Sequence, residues 1–298
     1  MMFRLLVALL LAVSFAWGKT PITHEAMWLM KRVGPPTPSP DGRWVVFPVT
    51  EPAYDEKDQA SELWIVPADG SVKPRRLTST KAAESGVAWA PDNRRIAFTT
   101  RREGDDVNQV YVLDVTGGEA VRVTSQSAAA SSPRWRPDGR ALLFTAAAYA
   151  GAPDEEANRK IATERKARKY TARVYDAFPI RYWDRWLEET RPHLWVQALD
   201  ADGRADGKPR DLLAGTRLAT EPGFAGSPTL SGEELSAAWA PDAATIVFVA
   251  TTKRNTAAYA SVNTQLWSMA AAGGEPKALT NGEDSYSRPS FSPDSTFK

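Results

Sequence analysis

The stretch SPDGRWVVF at residues 39–47 decides the fold, because the chain keeps returning to it. Variants stand at 89–98 (WAPDNRRIAF), 135–144 (WRPDGRALLF) and 239–248 (WAPDAATIVF), and a last one opens as FSPD at 291–294. Measured between the Pro-Asp pairs at Pro40, Pro91, Pro137, Pro241 and Pro293, the steps are 51, 46, 104 and 52 residues. A second phrase follows each of the first four copies: SELWIVPADGSVKPRRLTS, NQVYVLDVTGGEAVRVTSQ, RPHLWVQALDADGRADGKPRDLL and TQLWSMAAAGGEPKALTNG. The unit is therefore a two-part repeat.

Inside one unit, residues 86–90, 95–100, 109–115 and 120–124 are short runs rich in β-branched and aromatic side chains. Pro-Asp-Asn, Arg-Glu-Gly-Asp-Asp and Thr-Gly-Gly turn signals divide them. Each unit thus predicts four antiparallel strands. A period near 50 built of four strands is the signature of a β-propeller blade, since one such sheet cannot cover its own faces and must stack on neighbours. The fold class expected is all-β: four blades plus the start of a fifth, incomplete one. In SPDG, Pro presets φ, Asp bonds nearby backbone and Gly accepts a positive φ, so the recurring aspartates are turn formers rather than repeated metal ligands or catalytic acids. Trp89, Trp135 and Trp239 precede the turn at equivalent places, which suits packing between blades better than ligand binding.

Composition agrees with a folded domain. The 298 residues are 43% hydrophobic and 24% charged, and 37 basic against 36 acidic residues create no field that would attract nucleic acid or an anionic membrane. At the start, Arg4 precedes the run at residues 5–16, and Ala16-Trp17-Gly18 supplies a small-x-small cleavage pattern. Residues 1–18 read as a signal peptide cleaved after Gly18, because the run falls short of the roughly 20 residues of a spanning helix. The mature chain, 19–298, is then periplasmic or secreted with no membrane attachment. It has no cysteine, so packing rather than cross-links must hold it. No cofactor is expected.

The 104-residue step marks an insertion in the third blade, at about 149–190. From Asp154 to about Lys169 it predicts a mostly solvated helix, with Asp154, Glu155 and Glu156 at its start and Arg165, Lys166, Arg168 and Lys169 toward its end, in the sense of the helix dipole. Its third-blade strand is expected to resume at Leu194. The segment DADGRADG at 200–207 lacks the order and the closing Glu of a calcium loop and reads as a hairpin turn; no metal site is expected.

RVYDAFPIRYWDRW at 173–186, the following RPHLWVQALD, and the opening ITHEAMWLMKRVGPPTPSPDGRWVVF together resemble the propeller domain of the prolyl oligopeptidase family of serine peptidases. The likeness is to its branch of exported dipeptidyl-peptidase 5 and acylaminoacyl-peptidase-like enzymes, and it covers essentially all of the mature chain. It implies a short helix before the first blade, peptide substrates, and a propeller that caps a C-terminal α/β-hydrolase domain bearing a Ser-Asp-His triad. This chain has no G-x-S-x-G elbow, and its histidines are His24 and His193, so no catalytic residue is assigned and the hydrolase domain is absent from it. The expectation is an N-terminal fragment of a serine exopeptidase. The other open reading is a binding propeller of the periplasmic TolB type, which uses similar S-P-D-G repeats.

A dipeptidyl peptidase must hold a free α-ammonium, and paired carboxylates could do so. Glu155 and Glu156 read better as a helix start. Glu188 and Glu189, beside Tyr182, Trp183 and Trp186, are the candidate substrate-binding residues, although those aromatics could equally pack the insertion onto its blade.

Overall fold

The computed structural model describes residues 21–80, 82–170, 172–175, 180–182, 185–229, 232–257 and 259–292. Residues 1–18, expected to be a signal peptide, and the last Pro-Asp pair lie outside them. Among the described residues, four antiparallel sheets of four or five strands follow one another along the chain, beside two small two-stranded ladders. The second is the plainest: Ser85–Trp89, Arg95–Thr100, Gln109–Asp114 and Val121–Arg122 lie side by side in sequence order. The first blade runs Thr37–Pro38, Trp44–Glu51, Ala60–Pro67 and Arg75–Arg76, with Arg32–Val33 paired to the far end of its second strand. The third has Ser131–Trp135, Ala141–Tyr149, Thr190–Leu199 and Ala205–Asp211; the fourth has Ala237–Trp239, Thr245–Ala250, Gln265–Ala270 and Lys277–Ala278. A short helix, His24–Trp28, capped by the Thr23 side chain, precedes the first blade.

The second strands of the second, third and fourth blades are apolar without alternation because both faces of those sheets are covered. Along Arg95–Thr100, Ile96 and Phe98 join Val46, Leu63 and Ile65 of the first blade, whereas Ala97 joins Trp135, Leu142 and Phe144 of the third. The period of two thus divides one strand between two interfaces. Leu143 likewise turns to Trp239, Ile246 and Phe248 of the fourth blade. Val247 and Val249, on the fourth blade's other face, meet Tyr286 and Phe291 from the fifth copy of the repeat.

The repeated tryptophans stitch this stack. Trp89 Nε1 donates to the Thr37 carbonyl at 2.9 Å, Trp135 Nε1 to Ala88 at 3.1 Å and Trp239 Nε1 to Arg134 at 3.2 Å. Each indole reaches the first strand of the preceding blade.

The Pro-Asp aspartates cap their own turns. Asp92 Oδ1 accepts from the Arg94 and Arg95 amides, Asp138 Oδ1 from Arg140, Asp242 Oδ1 from Ala244 and Thr245, and Asp41 Oδ1 from Arg43. The following residue is left-handed in all four: Gly42 at φ 70°, Asn93 at 58°, Gly139 at 71° and Ala243 at 58°. Alanine is the misfit, since its Cβ crowds the backbone in that region.

Sequential antiparallel order puts the four described Pro-Asp turns, between first and second strands, at one end of the sheets. Loops between second and third strands leave from the opposite end, and the insertion is one of these. Ala141–Tyr149 pairs with the third strand from Ala141↔Ala198 to Tyr149↔Thr190, so that strand begins at Thr190, earlier than the expected Leu194, and residues 150–189 emerge beyond a continuous ladder.

Candidate functional site

The insertion is docked by a polar hub. Its helix, Glu155–Lys166, starts at Asp154, whose carboxylate accepts from the Ala157 amide at 2.9 Å, and ends at Ala167, short of the expected Lys169. Asn158 is its buried residue, only 1% exposed. Asn158 Oδ1 accepts from the Tyr149 amide at 2.9 Å, while Nδ2 donates to the Ser127 hydroxyl and the Ala147 carbonyl, each at 3.2 Å. Glu155 accepts from the Ser127 amide at 2.6 Å. The helix therefore grips the loop leading to the third blade and the end of its second strand. Lys208 on the fourth strand reaches Glu156 at 3.1 Å.

Beyond the helix, Glu189 pairs with Arg165, whose guanidinium lies 5.1 Å over the Tyr149 ring. Glu188 takes Arg173 at 3.1 Å and is well exposed. Trp186, 49% exposed, stacks on Tyr175 with centroids 6.3 Å apart and carries the Arg181 guanidinium 5.7 Å from its ring centroid. Tyr182 contributes its backbone to a two-residue ladder opposite Arg185, and Trp183 lies outside the described residues. Glu188 and Glu189 follow Trp186 closely in the chain, but each acid has its own arginine. Such exposed pairs hold with at most about 1 kcal/mol and yield readily to a competing cation.

A second acid pair was missed by the sequence reading. Glu233 and Glu234 stand on the short strand Gly232–Glu234, just before the fourth blade's first strand. Glu233 holds Arg254 at 2.9 Å, and Glu234 accepts from the Ser132 hydroxyl. The signal was Gly-Glu-Glu-Leu immediately upstream of a repeat, where the chain enters a blade at the insertion end.

Another charged cluster lies between the first two blades. Glu84, its side chain fully covered, accepts from Thr78 and from the Leu63 amide at 3.3 Å, with Arg102 at 3.5 Å. Burial pushes its carboxyl above the ordinary value against those partners. Nearby, burial and the Asp105 acceptor push the Tyr111 hydroxyl up to about 12. Arg102 lies 4.8 Å over the Tyr111 ring. These groups are consumed by one another.

The two sequence histidines offer no triad. His193 Nδ1 lies 2.7 Å from Asp211, both buried, at the place in its blade where Gln109 and Gln265 bond Thr124 and Thr280 in theirs. Asp200 is spent on its turn, accepting from the Asp202 and Arg204 amides, so the loop is the expected hairpin turn. Among the described residues no group of three or more metal-ligating side chains occurs, and no helix is long and apolar enough to cross a membrane.

A family model for the TolB beta propeller domain matches residues 27–174, covering the first two blades and entering the insertion. The chain carries a TolB-type β-propeller domain. It is also homologous to dipeptidyl-peptidase 5: identity is 28% over 286 residues with that of Porphyromonas endodontalis, covering 93% of this chain and 38% of the relative. With the Porphyromonas gingivalis protein it is 31% over 285 residues, covering 92% and 37%. The chain therefore spans less than two-fifths of these relatives' length. An acylaminoacyl peptidase solved in complex with Z-Gly-Gly-Phe-chloromethyl ketone shares the fold, with a TM-score of 0.55 at 15% identity over 87% of this chain and 34% of that one.

Proposed function

We propose that this chain is the N-terminal propeller part of an exported serine exopeptidase, which admits and positions peptides for an α/β-hydrolase domain that it does not itself contain. The observation that carries this reading is coverage. The similarity to dipeptidyl peptidases takes in 93% of the chain, too much to leave out the third-blade insertion, whereas the TolB match ends within it at residue 174. Blade repeats alone are common to many functions. The insertion stands at the end of the blades opposite the Pro-Asp turns and carries acids and aromatics toward solvent.

In this reading Glu188 and Glu189, with Tyr182, Trp183 and Trp186, contact the substrate's amino-terminal end. The α-ammonium displaces Arg173 or Arg165 from its carboxylate, so binding exchanges one ion pair for another and remains reversible. A propeller that only binds partners, as a TolB-type domain could, is the second reading, favoured by the family match at residues 27–174.

The test uses the parent protein. A serine-reactive fluorophosphonate should label it outside this chain, and it should release dipeptides from peptides with free amino termini. Glu188→Gln or Glu189→Gln should raise KM for those peptides and leave N-blocked ones unchanged, because only the former carry the ammonium. Equal effects on both substrates would remove the two acids from the role. A parent with no reactive serine would leave the binding propeller.

A further inference from the structure

At the root of the insertion, charge is left unbalanced. Arg191, second residue of the strand Thr190–Leu199, lies where the third blade adjoins the strand Gly232–Glu234. Among the described residues its donors reach only the Glu188 and Thr190 carbonyls, at 3.4 and 3.3 Å, the long end of hydrogen bonding. Arg254 is fixed by its amide on the Gly223 carbonyl at 3.0 Å and by its guanidinium on Glu233 at 2.9 Å, with side chains only 13% and 19% exposed. Glu233 is thus bonded to Arg254, and it acts on the Arg191 charge only electrostatically. Glu234 does not make up the difference, since successive strand residues face opposite ways and it is engaged by Ser132. Burial holds Arg191 below the ordinary arginine range, the Arg254 charge adds to this, and Glu233 only partly offsets it. A guanidinium is a planar fork of five donors suited to a carboxylate, and this one has its fork largely unspent in a partly desolvated place.

We propose that Arg191, with Arg254 beside it, forms a subsite for a peptide carboxylate, either an acidic side chain or a free C-terminus. The proposal rests on the reading that this chain handles peptides. It assigns the subsite to the insertion end of the interface between the third and fourth blades, next to Glu188 and Glu189 but without use of their carboxylates.

The test titrates the full chain at low ionic strength with three N-blocked probes: N-acetyl-alanine, N-acetyl-aspartic acid amide and the neutral N-acetyl-asparagine amide. None carries an ammonium, so the outcome is independent of whether Glu188 and Glu189 select amino termini. At least one carboxylate probe should bind about tenfold or more tightly than the neutral one, as charged hydrogen bonds imply. A preference for N-acetyl-alanine assigns a C-terminal carboxylate, and a preference for the aspartate probe an acidic side chain. Arg191→Gln should abolish the preference and Arg191→Lys should weaken it. Equal affinity for all three probes in the unaltered chain would overturn the subsite without needing any variant to fold, and so would a preference that survives in Arg191→Gln. Neither result would touch the peptidase reading, which the fluorophosphonate label decides separately.

Discussion

Replacing Trp135 with Phe separates a tryptophan that holds blades together from one kept for ligands. The indole is 8% exposed, packs in the core shared by the second and third blades, donates to the Ala88 carbonyl at 3.1 Å and lies under the Arg95 guanidinium at 5.4 Å. Phe keeps most of the contact but loses the donor, a loss of about 1 kcal/mol for a hydrogen bond of this kind. The smaller ring gives up roughly 25 Å² of apolar burial, or about 0.6 kcal/mol at 25 cal/mol per Å². Together these lose about 1.6 kcal/mol, and the weaker cation–π contact adds a few tenths, for a total near 2 kcal/mol. In urea, with a slope of about 3 kcal/mol/M for a chain of this size, the midpoint should fall by roughly 0.6 M. Trp89→Phe and Trp239→Phe, which make the same bond at 2.9 and 3.2 Å, should each lose about 1.5 kcal/mol, and these two together should add, since they stand in the second and fourth blades and a blade touches only its neighbours. A Trp135→Phe chain within about 0.3 kcal/mol of the original would refute the stitching role.

Ala243→Gly should raise the melting temperature by about 1–3 °C, relieving the left-handed backbone at φ 58° for a gain near 0.5–1 kcal/mol; a lowered melting point in calorimetry would mean the turn carries no such strain. Asn158→Leu should expose residues 150–189 to protease and to hydrogen exchange while amides such as Val110 in the second blade stay protected; unchanged protection of the insertion would deny Asn158 its docking role. Glu84 carries a raised pKa, so its contribution to stability is full below the ordinary value of 4.5 and is lost as pH rises through the folded value. Glu84→Gln should therefore flatten the stability profile from pH 4.5 upward, and parallel curves for the two chains would show that the group does not titrate with folding. The turn aspartates act in the opposite sense: Asp242, held low by the Ala244 amide, supports the fold above its ordinary 3.8 and loses that support as pH falls below it.

The blades were legible because their determinants are local and repeated. A Pro-Asp turn announces itself within four residues, and the apolar strand after it needs only its own pattern to be recognised. The tryptophans were legible as packing groups, although their bonds to the preceding blade join residues 47 to 105 positions apart and show only in three dimensions. The insertion helix was legible from its capping aspartate and charge order. Its anchoring was not, because Asn158 looks like any polar residue on a solvated helix and gains its role only when the strand end at Tyr149 and the loop at Ser127 converge on it.

The candidate site was legible only as a list of acids, and the reason is electrostatic. What a carboxylate can bind depends on which cations already sit beside it, and Arg165, Arg173 and Arg254 come from three different segments to take Glu189, Glu188 and Glu233. Adjacent glutamates in a sequence therefore overstate the free negative charge of the folded site. Arg191 is the converse: its neighbours in sequence, Thr190 and Pro192, say nothing about charge, yet the fold places it against a guanidinium and a carboxylate already in use. Among the described residues, the insertion end of the third and fourth blades consequently presents acids paired with arginines and one arginine, Arg191, bonded only to two backbone carbonyls. On the proposed reading, a peptide's carboxylate would meet a guanidinium bonded only to carbonyls, while its ammonium would have to displace an arginine from its acid.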